Sequence, residues 1–129
     1  LNLTTEAMAR ATDWAGVRSG AEYDKWKETG LTPEPGVMVK SPTIAESPLA
    51  IECRVKEVMS LGSHDMFIAD IVAINADERY IDSKGKINLQ QAGLMAYSHG
   101  EYFSLGRKLG EFGYSVAKKQ KNKSYNKNR

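Results

Sequence analysis

Cysteine is almost missing: Cys53 is the only one in 129 residues. An internal disulfide is excluded, and with it a small scaffold held by cystines. Proline is confined to one stretch, Pro33, Pro35, Pro42 and Pro48. No apolar run approaches the ~20 residues of a membrane-spanning helix. No secretory-signal pattern is visible. With a lone thiol, the expectation is a reducing, cytoplasmic setting. Metal chemistry has little to work with, because Cys53, His64 and His99 follow no zinc spacing. Ser63-His64-Asp65 is contiguous, and neighbours on a turn point in different directions, so it is not a triad. There is no Gly-x-Ser-x-Gly elbow and no internal repeat.

What remains suits one ordinary domain. Hydrophobic residues make up 41% and charged residues 26%, in a chain long enough to bury a core. Charge is unevenly spread. Residues 118–129 hold six of the 18 lysines and arginines and no acid, so residues 1–117 carry 12 basic against 16 acidic groups. The end is too poor in apolar residues to offset the entropy of ordering. The expected division is therefore a domain over 1–117 and a basic disordered tail over 118–129. No basic face interleaved with aromatics supports nucleic-acid binding.

The centre is Leu49 to Asp77. Leu49, Ile51, Cys53 and Val55 alternate with Glu52, Arg54 and Lys56. That period of two predicts a half-buried strand with the thiol on its apolar face and the charges in solvent. Met66 to Ala76 is apolar on both faces, which suits a strand covered on both sides. Between them Gly62-Ser63-His64-Asp65 reads as a tight turn. The pair predicts a long β-hairpin.

Before it, Leu1-Asn2-Leu3 reads as the end of a strand. Thr4 or Thr5 caps a helix through Ala11 that stops near Gly16. Ser19, with Glu22 three residues on, predicts the cap of a second short helix that carries Tyr23 and Trp26 on one face and ends at Gly30. Leu31 to Pro48 is an irregular, mostly extended connection, long enough to suggest a functional surface or packing across a partner. After the hairpin come a short strand at Tyr80–Asp82, a polar turn at Ser83–Lys86, a helical turn at Leu89–Ala92 and an apolar patch, Leu94–Tyr97.

Gly16-Val17-Arg18-Ser19-Gly20 leads into the second helix, with Lys25 beyond it. Free N–H groups beside a guanidinium and an ammonium suit a phosphate, although many helices start this way. His64 alone reads as a solvated turn residue. Tyr97, Tyr102 and Phe103 alone read as core.

Several stretches together are similar to one family. Ala11-Thr12-Asp13-Trp14-Ala15-Gly16-Val17-Arg18-Ser19-Gly20, Asp24-Lys25-Trp26, Gly30-Leu31-Thr32, Ala45-Glu46-Ser47-Pro48, Glu52-Cys53, Leu61 to Ile68 and Tyr97 to Tyr102 resemble the flavin reductase-like proteins of the flavoredoxin type. The resemblance spans Asn2 to about Val116. It implies a mainly β fold with short helices (α+β), a split β-barrel that binds FMN, usually as a homodimer with the flavin near the subunit interface. It implies electron transfer from NADH or NADPH to flavin or to another acceptor, whose identity stays open. The alternative is a flavin-binding electron carrier, or a dimerising split-barrel module, without reductase activity. Carried over by position, Lys25 contacts phosphate or ribityl oxygens, with Arg18 and Ser19 beside the phosphate. His64 is the candidate catalytic residue, orienting or polarising a cofactor. Tyr97 or Phe103 walls the flavin pocket. Family members carry a further strand-rich segment before this point, so an incomplete barrel is expected here, with the long strand Met66–Ala76 uncovered on one side.

Overall fold

The two apolar runs at 49–76 pair as expected. In the computed structural model, which describes residues 1–117, β3 (Leu49–Ser60) and β4 (Asp65–Ala76) form one antiparallel hairpin. The basic tail expected over 118–129 lies outside the described residues. Gly62 has φ 88°, the left-handed conformation that the connection needs. The ladder runs from Leu49 opposite Ala76 to Ser60 opposite Asp65 and is interrupted between Glu52 and Cys53 and between Val55 and Glu57. The first interruption leaves Val72 unpaired on β4, the second Lys56 on β3. One extra residue on each strand restores the register and adds local twist.

Burial differs from the expected alternation. It changes along the hairpin, not across it. At the root Leu49, Ala50 and Glu52 are all buried, so both faces of β3 are covered there. Toward the tip neither face is: Val55, Val58, Phe67, Ile68 and Ile71 are exposed. The expectation of a second strand covered on both sides therefore fails for residues 65–71 and holds better near Asn75 and Ala76, which are half-buried. The uncovered strand implied by the family resemblance is what the structure has.

The first residues join the hairpin to the rest. Leu1–Leu3 runs antiparallel beside β3, with Ile51 N–H donating to Leu1 C=O at 2.7 Å and Leu3 N–H to Leu49 C=O at 3.0 Å. The segment then crosses to the last hairpin, where Met95 N–H donates to Thr4 C=O (3.2 Å) and Glu6 N–H to Gly93 C=O (2.8 Å). The core sits at this crossing: Thr5, Met8, Ser47, Pro48, Leu49, Ala50 and Ala92 are buried. Buried hydroxyls need partners, and the Ser47 hydroxyl lies 2.8 Å and 2.9 Å from the carbonyl oxygens of Leu3 and Leu49.

A 3₁₀ turn, Glu6–Met8, feeds α1 (Ala9–Val17). The second helix, α2 (Lys25–Thr29), starts later than the Ser19 cap predicts. Asp24 is the cap, its carboxylate accepting from Trp26 N–H and Lys27 N–H at 3.1 and 3.3 Å. Ser19 holds only the preceding turn, through Ala21 N–H. Tyr23 lies before α2, edge-on to Trp14 at 5.5 Å, and does not share a helix face with Trp26. Gly30 ends α2 with φ 70°, as expected.

The proline-marked stretch holds a short hairpin, β1 (Pro33–Glu34) with β2 (Thr43–Ile44), whose long tip folds back onto β3. After β4, Ile81 bridges Ile87 across the polar turn, and the Asp82 carboxylate accepts Lys84 N–H and Lys86 N–H. The helical turn falls at Leu89–Ala92. Strands β5 (Met95–Ser98) and β6 (Glu101–Ser104) close through His99 (φ 51°) and Gly100 (φ 87°), a pair of positive φ angles that matches the twist of a two-residue hairpin loop. The chain is thus mainly β with short helices. Its three two-stranded sheets do not close into a barrel among the described residues.

Candidate functional site

Three groups of candidate residues can be placed. The first is the corner between α1 and α2. Arg18 caps the end of α1 in an extended conformation, its N–H returning to Trp14 C=O at 3.1 Å. Its guanidinium lies 5.5 Å from the Tyr23 ring centroid, a stacked position that limits its freedom while leaving it exposed. Ser19 follows directly. Lys25 is half-buried and turns back to α1, its ammonium donating to Ala15 C=O at 2.6 Å. That carbonyl is one of the acceptors a helix leaves unpaired at its C-terminus, and the bond suits its negative dipole end. An ammonium carries three donors, so Lys25 keeps two for other partners. Arg18, Ser19 and Lys25 are therefore brought together by one corner.

The second group is the β5–β6 hairpin. Tyr97 pairs with Tyr102 across the ladder, ring centroids 5.0 Å apart. Phe103 pairs with Ala96. Paired residues share a face and successive residues alternate, so Tyr97 and Phe103 lie on opposite faces and cannot wall the same side of one ligand. The tyrosine face is tied to α1, because Tyr102 O–H donates to Asp13 Oδ1 at 3.3 Å. Burial and the Asp13 negative charge both hold the Tyr102 phenol above its ordinary pKa, so it keeps its proton and remains a donor. Tyr97 is two-thirds exposed. The tyrosine face thus adjoins the helix that carries Arg18.

The third is the tip of β3–β4. His64 is exposed, and its one side-chain hydrogen-bond partner among the described residues is its neighbour Ser63, with Oγ 2.9 Å from Nδ1. The structure does not join it to either other group. Among the described residues no three His, Cys, Asp or Glu side chains converge as metal ligands would.

Sequence reasoning missed Asp13, Tyr23 and Glu52. Tyr23 meets Trp14 of α1 edge-on and lies under the guanidinium of Arg18, the residue that caps that helix.

The model of the flavin reductase like domain matches residues 1–106. The fold is similar to the flavoredoxin of Desulfovibrio vulgaris (Miyazaki F), with a TM-score of 0.81 and 28% identity over 90% of this chain and 63% of that one. A flavin reductase with split barrel domain from Shewanella frigidimarina gives a TM-score of 0.72 at 25% identity, over 85% of this chain and 57% of that one. An FMN-binding protein from Thermus thermophilus with bound 1-cyclohex-2-enone gives 0.67 at 25% identity, over 85% and 59%. The architecture is therefore that of split-barrel flavin reductases. The chain spans about half the length of the first curated relative it matches.

Proposed function

The chain belongs to the flavin reductase like domain family over residues 1–106, and from that premise we propose that it binds FMN and passes electrons from NADH or NADPH to the flavin or to a further acceptor. The observation that carries this is the corner at Arg18, Ser19 and Lys25, in a fold similar to flavoredoxin. FMN asks for donors to a phosphate and for an aromatic or apolar surface beside its ring. The donor set fits: an exposed guanidinium, a hydroxyl and an ammonium with two free donors lie at one corner. The exposed ring of Tyr97 fits the second need, on the face that Asp13 ties to the same helix.

Bound flavin supplies the electron chemistry, taking up and giving back electrons, while the protein supplies binding and orientation. In this reading Arg18, Ser19 and Lys25 hold the phosphate end and Tyr97 stacks beside the ring. Phe103, on the other face of its hairpin, then packs elsewhere. His64 orients or polarises a cofactor from the hairpin tip. The functional unit is a homodimer in the reducing cytoplasm. The exposed apolar side chains of β3 and β4 support the dimer, since contiguous apolar surface on this scale marks contact sites.

A second reading has support of its own. His64 makes its side-chain hydrogen bond with Ser63 and not with the corner, and the sheets are open among the described residues. A flavin-binding carrier or dimerising module without reductase activity needs no contact between His64 and the corner. Titrating the chain into FMN tests the first premise: saturable quenching of flavin fluorescence is expected, and its absence refutes FMN binding by this chain. Consumption of NADH or NADPH with FMN present then separates reductase from carrier.

A further inference from the structure

The tip of the β1–β2 hairpin, residues 35–42, has almost nothing of its own to hold it. Its residues 36–41 enter no backbone–backbone hydrogen bond with other described residues. Val37 and Met38 are exposed. What holds it is one side chain from β3. The Glu52 carboxylate accepts Val37 N–H (2.7 Å) and Asn75 Nδ2–H (2.7 Å) at Oε1, and Met38 N–H (2.6 Å) and Val39 N–H (3.0 Å) at Oε2. Three successive backbone N–H groups form a concave anion site, and here the anion is part of the chain.

The arrangement has no room for a proton. An ionised carboxylate accepts at about four lone-pair positions, and four donors occupy them. A protonated Glu52 would turn an O–H toward groups that only donate. Glu52 is 2% exposed, so water does not replace a lost partner without movement. The loop is also tight in its own right: a Cβ at Gly36 would lie 2.5 Å from Val39 C=O and 2.8 Å from Ser41 C=O.

We propose that Glu52 is an acid-released latch, whose ionised carboxylate seats residues 37–39 on the root of β3–β4 and whose protonation frees that loop while the hairpin stays folded. The Val37 and Met38 N–H groups hold the Glu52 pKa below the ordinary glutamate value. The latch is therefore closed above the ordinary carboxylate range and lost as pH falls through the lowered value. The other ionisable groups on the elements packed against it are Glu34 on β1, Lys40 in the loop, the Leu1 ammonium, Cys53, Arg54, Lys56 and Glu57 on β3, and Asp70 and Asp77 on or beside β4. None pairs with Glu52: the Leu1 ammonium donates to Ile51 C=O, Lys56 meets Asp70 and Asp77 meets Arg79. The device rests on no assumption about flavin. Its moving part adjoins a groove of about 400 Å³ lined by Val39, Pro42, Ile51, Cys53 and Phe67, so release also opens one wall of that groove.

Amide hydrogen exchange of the full chain, followed by NMR across an acid titration, tests this. Protection of Val37, Met38 and Val39 should fall about tenfold or more, the loss expected for hydrogen bonds to a charged group. Protection of Ala50 and Arg54, whose N–H groups point toward β4 because those of Leu49 and Ile51 face the first residues, should hold over the same range. Glu52→Gln should leave 37–39 unprotected at neutral pH and flat with pH. Gly36→Ala should open the same loop at neutral pH without touching Glu52. If Glu52→Gln fails to fold, the wild-type protein decides alone: the Glu52 carboxyl ¹³C signal and the three amides should share one midpoint. Separate midpoints, protection that survives Glu52 protonation, or joint loss at Ala50 and Arg54 would overturn the proposal.

Discussion

Leu49→Ala and Phe67→Ala make a paired test of where this fold is held. Residue size alone says that truncating the phenylalanine should cost more. The structure reverses the order. Leu49 is 7% exposed at the root of β3, and Phe67 is 62% exposed near the tip of β4. Core Leu→Ala changes cost about 2–5 kcal/mol, depending on how far the site collapses. The root adjoins an open groove lined by Ser47, Ala50 and Asn75, so the lower half applies, about 2–3 kcal/mol. Phe67 hides about two-fifths of a side chain that offers roughly 200 Å², or about 80 Å². At about 25 cal/mol per Å² that is about 2 kcal/mol as an upper bound. The retained Cβ and a compact unfolded state bring it near 1 kcal/mol. Urea unfolding followed by the fluorescence of Trp14 and Trp26 reads both. With a slope of about 1–1.5 kcal/mol per molar, Leu49→Ala should lower the midpoint by about 2 M and Phe67→Ala by under about 1 M. A Phe67→Ala cost that rises with protein concentration would report a second copy on that face. A cost larger than that of Leu49→Ala and independent of concentration would refute the burial gradient.

Two further outcomes are expected. His99→Asn should raise stability by about 0.5 kcal/mol, seen as a melting temperature about 2–4 °C higher, because Asn adopts the positive φ of this turn more readily than His and Asn-Gly is the preferred pair there. Arg18→Ala should weaken FMN binding about tenfold in the fluorescence titration, the loss of a charge-assisted hydrogen bond, with little change in the urea midpoint because the guanidinium is exposed.

Features written in local chemistry were legible from the residues. The hairpin over 49–76, its glycine at 62 and the Gly30 helix stop depend on neighbours a few positions away, and all three are where the pattern puts them. Arg18, Ser19 and Lys25 fall within eight residues of continuous chain, so their nearness in sequence needs no tertiary contact to be seen. The cap of α2 was misread because Ser19 and Asp24 both qualify. The turn at Ser19–Tyr23 intervenes and gives the position to Asp24. Separating Tyr97 from Phe103 needs the register of β5 against β6, which no single strand carries. Glu52 was hidden most deeply. In an alternating strand a charge beside Arg54 reads as solvent-facing, and the groups that bury it are backbone N–H donors 13 to 15 residues away. Every residue but proline has such a donor, so they leave no mark in the sequence.

A hairpin twelve residues long in each strand is far longer than its own core requires, since burial ends within about four residues of the root. Apolar residues continue past that point on both strands, through Val55, Val58, Phe67, Ile68 and Ile71. A long, partly apolar edge left open invites pairing with another chain. Charge does occur along it, at Arg54, Lys56, Glu57, Asp65 and Asp70, all exposed, and Lys56 meets Asp70 at 3.5 Å, so the apolar residues lie among charges of both signs. The tip therefore reads as a surface built to be covered. In the proposed homodimer the cover is a second copy, which makes the concentration dependence of Phe67→Ala the measurement that joins fold to assembly: it separates a hairpin that is apolar because a partner sits on it from one whose apolar tip stays in water.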